Sequence, residues 1–225
     1  MKKIIQLVCV LLISTCIGGC SNREGMIDEP VEDTSHTAEN TVLNSGDVEV
    51  IETHVSILGD ITDPDEVYKN ASHVAIIEVL SVDGCSNVDQ RNGVYIYPYT
   101  YGKAVVRQAY KGDLQEEQEI TFVRMGGTIE WEDYLRSLSE NERQKTERLS
   151  GESHPAYVKE VFADDIEIES GKTYLAYMDN EDVSMEGAYA IIGWQGGLRE
   201  ITEGKVKNNF TGEYQEISDI ITQLQ

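Results

Sequence analysis

Four tyrosines fall at every second position in the segment VYIYPYTYGK: Tyr95, Tyr97, Tyr99 and Tyr101. An extended chain sends alternate side chains to opposite faces, so this spacing places the four rings on one side and Val94, Ile96, Pro98 and Thr100 on the other. A row of phenols can stack on sugar rings or on peptide prolines; it can also cover half of a core with its hydroxyls in water. Pro98 lacks the N–H of a central ladder, so the segment reads as an edge strand or a loop, where rings stay accessible. The run Gly193-Trp194-Gln195-Gly196-Gly197-Leu198-Arg199 carries a second candidate. Its Gly-Gly pair reads as a hairpin turn between two strands, with Trp194 and Arg199 capping a groove. Ligand contacts are therefore expected at Tyr95, Tyr97, Tyr99, Tyr101, Trp194 and Arg199.

Other chemistries have weaker sequence support. Asp164, Asp165, Glu167 and Glu169 lie close together, as do Asp179, Glu181, Asp182 and Glu186. Hard cations take several carboxylate oxygens from such loops, which leaves calcium as an open partner. Neither cluster has the EF-hand spacing with its central glycine, so they read as solvated acidic surface and no metal site is assigned. The histidines are His36, His54, His73 and His154. None falls in a metalloprotease HExxH, and GxSxG, SxxK and phosphate-loop patterns are absent, as is any cofactor motif. His154, beside Pro155, is the one histidine suited to catalysis. With 41 acidic residues, carboxylate pairs are available everywhere and specific nowhere. A non-catalytic binding module is thus favoured. The alternatives are an envelope-acting hydrolase using carboxylates or His154, and a calcium-stabilised structural surface protein.

The elements that position these residues begin with an export device. Lys2 and Lys3 precede an almost wholly apolar run from Ile4 to Ile17, followed by Gly18, Gly19 and Cys20. That run is too short to span a bilayer, which needs ~20 residues, but it suits a secretory signal. The Ile17-Gly18-Gly19-Cys20 stretch resembles the lipobox of bacterial lipoproteins. The resemblance implies acylation of the Cys20 sulfur, cleavage before Cys20 and anchoring to the cell membrane on its extracytoplasmic side. Residues 1–19 then form the signal peptide, and the membrane becomes a partner through the lipid at Cys20.

The charge follows this division. The 225 residues carry 18 Lys and Arg against 41 Asp and Glu, a formal charge of -23, which becomes -25 once Lys2 and Lys3 leave. So acidic a chain has too little basic charge for phosphate contacts, and nucleic acid is excluded as a partner. A mean hydropathy of -0.36 with one long apolar run excludes a polytopic membrane protein. From Ser21 to Asp60 there are ten acids, Arg23 as the single base, and no aromatic residue. Residues 20–57 are therefore expected to form a lipidated, self-repelling acidic tether. Val48, Val50 and Ile51, then Val55, Ile57 and Leu58, are the candidate first strand that starts the folded part. The mature chain keeps Cys20 and Cys85 only, which leaves no internal disulfide. Cys85 sits in a turn-like VDGCSN stretch with no base nearby and reads as an inert thiol.

Residues 58–225 are the size of one domain. Asp63-Pro64-Asp65-Glu66 starts a short helix. His73 to Val82 is apolar on both parities, as a strand covered on both sides requires. Further strands are expected at Tyr95–Tyr110, Glu119–Met125, Thr173–Met178, Ala188–Trp194 and Leu198–Thr202. Trp131, Tyr134, Leu135 and Leu138 form one helical stripe. Ser139 and Glu142 have capping-box spacing before a polar helix, and a terminal helix runs from Tyr214 to Leu224. The expected class is α+β, a small curved sheet or OB-like barrel with short helices inserted and at the C-terminus.

Tyr110-Lys111-Gly112 at the end of an aromatic strand, followed by Gly171-Lys172-Thr173-Tyr174-Leu175, resembles netrin-like modules, including the tissue inhibitors of metalloproteinases. The likeness covers residues 72–178 and implies an OB-type barrel. It does not extend to protease inhibition. Those inhibitors use a free N-terminal cysteine and a disulfide framework, whereas Cys20 is expected to be acylated and no disulfide can form.

Overall fold

The computed structural model describes residues 47–53, 61–150, 153–163, 165–180 and 183–224. The chain divides into units 1–37 and 38–225, and every described residue belongs to the second. Cys20, the greater part of the expected tether, and Val55, Ile57 and Leu58 lie outside the described residues. Among those described, no helix is long and apolar enough to cross a membrane.

In chain order the elements are β1 (Val48–Thr53), α1 (Pro64–Asn70), β2 (His73–Asp89), β3 (Val94–Lys111), β4 (Glu119–Met125), β5 (Gly127–Glu130), α2 (Trp131–Ser137) and α3 (Glu140–Ser150). They continue with β6 (Tyr157–Phe162), β7 (Thr173–Asp179), β8 (Ala188–Ile191), α4 (Trp194–Gly197), β9 (Leu198–Thr202), β10 (Lys205–Lys207), β11 (Tyr214–Glu216) and α5 (Ile217–Leu224). The fold is α+β, a strongly curved sheet with short helices, as the sequence pattern leads one to expect.

The main sheet runs β11-β10-β9-β7-β2-β3-β4-β8, and a further β7–β8 pairing bends it back on itself. Five strands, β7-β2-β3-β4-β8, are thereby hydrogen-bonded in a ring. Its closing seam is thin: Met178 and Asp179 face Ile191 and Ala190. The β4–β8 ladder is the one parallel pairing in the ring. A second, three-stranded sheet, β1-β6-β5, flanks it. β1 is the strand suggested by Val48, Val50 and Ile51, and it pairs with β6 in parallel.

Alternation along β2 and β7 explains why both are buried on two sides. Ala75, Ile77, Val79, Tyr174, Ala176 and Met178 point into the ring with Val106, Phe122 and Ile191. Val74, Ile76, Leu175 and Tyr177 point outward under α1 and α5, against Val67 and Ile220. Each such apolar side chain stabilises the fold by about 1.5–3 kcal/mol. α1 starts as expected, with Asp63 accepting from the Asp65 N–H at 2.9 Å. The Ser139–Glu142 capping box also forms, and α3 buries none of its residues.

Three expectations are corrected. β2 does not end at Val82 but continues to Asp89, so Cys85 lies on a strand, opposite Thr100. The turn-rich residues are absorbed by bulges, and the hairpin turns instead where Asp89 accepts from the Arg91 N–H and Gly93 takes φ 70°. β3 is central only from Thr100, where β4 joins it; Val94–Pro98 have β2 alone as ladder partner, as the edge stretch that the proline leads one to expect. The proline sits where Tyr95 faces Val88 and Tyr99 faces Ser86, so three β3 residues oppose Asn87 alone and no ladder donor is lost. The Gly196-Gly197 pair is not a hairpin: Gly193 adopts φ 79° and Trp194–Gly197 make one helical turn. A Cβ on Gly197 would come within 1.4 Å of the Ile192 carbonyl oxygen, a contact that only glycine permits. Finally, Tyr214–Glu216 pair with β10 as a strand, and the terminal helix begins at Ile217.

Candidate functional site

The tyrosine row is split by the bulge at Pro98. Tyr99 is 3 % exposed and its hydroxyl donates to the Val88 carbonyl at 2.8 Å. It packs with Val123, Val183 and Ala188, joined by Ile96 and Tyr101. Ile96 and Tyr99 therefore share a side, which strict alternation forbids. Tyr97 is 44 % exposed, stacks on Phe162 with ring centroids 6.0 Å apart, and lies 3.3 Å from the Thr53 hydroxyl. Tyr95 is half-buried, with its hydroxyl 3.1 Å from Arg136 Nη1 and the guanidinium over its ring. The four rings thus do not form one continuous platform.

Trp194 and Arg199 are also separated. Trp194 meets Phe162 edge-on at 5.7 Å, and its buried Nε1 finds no acceptor among the described residues. Arg199 is 1 % exposed, donates through Nε to the Gly196 carbonyl at 2.9 Å and lies over the Tyr177 ring at 5.8 Å. It is an interior residue, not a groove cap, because β9 is covered on both faces there. His154 is exposed, stacked on Trp131 at 5.4 Å and bonded to the Pro155 carbonyl, away from any cavity. Of the acid clusters, Asp164, Glu181 and Asp182 lie outside the described residues. Asp165 pairs with Arg124, Glu167 with Lys159 and Glu169 with Lys172. Among the described residues no group of three metal-ligating side chains occurs.

A site missed by the sequence reading lies where the small sheet leans on the β2–β3 hairpin. A cavity of about 340 Å³ is lined there by Cys85, Thr100, Arg124, Gly127, Glu160 and Asp165, among others. A second, of about 300 Å³, is lined by Tyr97, Tyr134 and Leu138 and again by Glu160. Glu160 is on the wall of both. It sits on β6 between Val158 and Phe162, on the buried face of an alternating strand. It is 6 % exposed, and among the described residues nothing hydrogen-bonds or ion-pairs with its carboxyl. Burial away from water disfavours its charge and raises it from the usual carboxylate range to about 7.

Of the groups around it, Cys85 is neutral, and Arg124 is paired through Nη2 while its buried Nη1 finds no acceptor among the described residues. Arg124 is buried and paired with Asp165; burial lowers the arginine and raises the aspartate, and their mutual attraction opposes both shifts. Burial pushes the Cys85 thiol up to about 12, so no nucleophilic thiolate forms near neutrality. Gly127 lets the two sheets approach here, since a Cβ would come 2.3 Å from Cys85 Sγ. The sequence signal for Glu160 was present in Val158-Lys159-Glu160-Val161-Phe162: an acid on the apolar parity of a strand.

Fold and site together define a curved-sheet module carrying two adjoining cavities around one unmatched acid. No protein-family model matches the chain, and no curated protein matches it.

Proposed function

We propose that the protein is an exported lipoprotein, held at the extracytoplasmic face of the cell membrane by acyl chains on Cys20. Its β-rich unit serves there as a non-catalytic binding module for an envelope or extracellular ligand. The observation that carries this reading is Glu160, a buried carboxyl without a partner among the described residues, on the wall of two concave sites. Buried polar groups are as a rule satisfied, and concave sites with few polar groups are where small ligands bind. The exposed Tyr97 ring at the second cavity keeps part of the tyrosine row as a contact surface. The netrin-like likeness enters this reading as fold alone. The test is a ligand screen on the full chain, with envelope glycans and peptides, read by saturable shifts in tryptophan fluorescence. The reading expects a ligand whose binding is weakened by Glu160→Gln; loss of the anchor in a Cys20→Ala variant tests the membrane part separately.

One observation favours hydrolysis as a second reading. Glu160 and Asp165 line the same cavity, one titrating near neutrality and the other beside an arginine. A protonated acid and a carboxylate on one cavity are what glycoside hydrolysis uses. This reading expects glycan turnover that Glu160→Gln and Asp165→Asn each abolish, and it fails if neither variant alters a measured rate.

A further inference from the structure

The second cavity has a chemistry of its own. β1, β3, α2, α3 and β6 enclose it, and its wall includes Tyr97, Tyr134, Ile96, Leu138, Glu142 and Glu160. No basic side chain is among the described residues that line it. Bases on the flanking elements are paired: Lys159 with Glu167, Arg124 with Asp165, and Arg136 with Asp133 at 3.0 Å. Two acids face it, Glu160 from β6 and Glu142 from the first turn of α3, where Ser139 donates to Glu142. The Tyr134 hydroxyl makes no hydrogen bond among the described residues. Glu160, Glu49 and Glu142, together with the Tyr97 phenol, act on that hydroxyl in one direction, and with burial they raise it to about 12. The interior is therefore negative, aromatic, partly apolar and unneutralised.

A hard metal ion takes several carboxylate or carbonyl oxygens, whereas this wall carries two carboxylates and no group of three metal-ligating side chains occurs among the described residues. An organic cation needs something different: one counter-ion shielded from water, aromatic rings for cation–π attraction and apolar surface for its methylenes or methyls. Glu160, the Tyr97 and Tyr134 rings, and Ile96 with Leu138 supply those in turn. We propose that this cavity binds an organic ammonium group, with Glu160 as its counter-ion and Tyr97 and Tyr134 as its aromatic wall. The proposal rests on the binding-module reading and names the ligand class of that site.

The experiment is an isothermal titration of the full chain with choline chloride, n-butylammonium chloride and 3,3-dimethylbutan-1-ol, the uncharged isostere of choline. It is repeated with Glu160→Gln and Tyr97→Ala. At least one cation is expected to bind saturably and at least tenfold more tightly than the alcohol; which one binds distinguishes a quaternary from a primary ammonium source. Glu160→Gln should weaken the cation at least tenfold and leave the alcohol unchanged. Tyr97→Ala alters an exposed ring, keeps the fold by circular dichroism, and should weaken the cation several-fold. Equal binding of cation and alcohol, or full cation affinity in Glu160→Gln, overturns the assignment. A glycan or peptide that binds while both cations fail overturns the ammonium site and leaves the binding-module reading standing; failure of every ligand overturns both.

Discussion

The two sides of the β2–β3 hairpin are built on opposite terms. Toward β7 the sheet is sealed: Val74, Ile76, Leu175 and Tyr177 lie under α1 and α5, and Ala75 and Ile77 fill the ring. Toward β6 the same hairpin meets a three-stranded sheet that leaves two cavities and a buried acid without a partner. Apolar alternation on both parities produces the first side. A single acid on the apolar parity of β6 produces the second. The contrast separates residues kept for packing from residues whose packing is incomplete by themselves.

The largest test of that contrast lies in the sealed half. Phe122→Ala removes a ring with no exposure from the ring interior and should cost about 3–5 kcal/mol in urea unfolding. A loss under about 1 kcal/mol would mean that the curved sheet is not a packed core.

The two central tyrosines come next, because the row is divided between the two halves. Tyr99→Ala should cost about 3 kcal/mol, while Tyr97→Ala should cost less than about 1 kcal/mol. Thermal melts that fall equally for both variants would restore a continuous face.

Glu160 sets the third effect through pH. Its folded-state value of about 7 lies above that of an unfolded glutamate. The folded state therefore holds a proton that the unfolded chain has released, and stability falls as pH rises from about 4.5 to 7. The Cys85 thiol, the Tyr97 and Tyr134 phenols and the Glu142 carboxylate share its two cavities, and the cations there, Arg124 and Lys159, are paired with Asp165 and Glu167. Glu160→Gln removes the penalty. Unfolding at pH 8 should become harder by on the order of 1–2 kcal/mol after solvent screening, with little change at pH 4. The opposite sign would mean that the carboxylate is matched by a cation.

The smallest effect lies on the exposed α3. Ser139→Ala breaks the capping box and should lower stability by roughly 0.5–1 kcal/mol in urea unfolding.

Much of the sealed half was legible in the sequence. The Asp63-Pro64 start, the doubly apolar His73–Val82 and the strands Glu119–Met125 and Leu198–Thr202 rest on local rules of capping and periodicity. The open half was not, because it depends on pairings far apart in the chain. β1 meets β6 across more than a hundred residues, and nothing local to either announces the partner. The tyrosine spacing misled because a bulge at Pro98 reverses the parity between Ile96 and Tyr99. Arg199 looked like a surface anchor because Tyr177, over whose ring it lies, comes from β7, a separate segment.

The most direct test of the central claim is a carbon-13 titration of the Glu160 side-chain carboxyl in the full chain, with and without a saturating ammonium ligand. The claim predicts titration near 7 in the free protein and a clear downward shift when the cation binds. A value near 4.5, unmoved by the ligand, would contradict it.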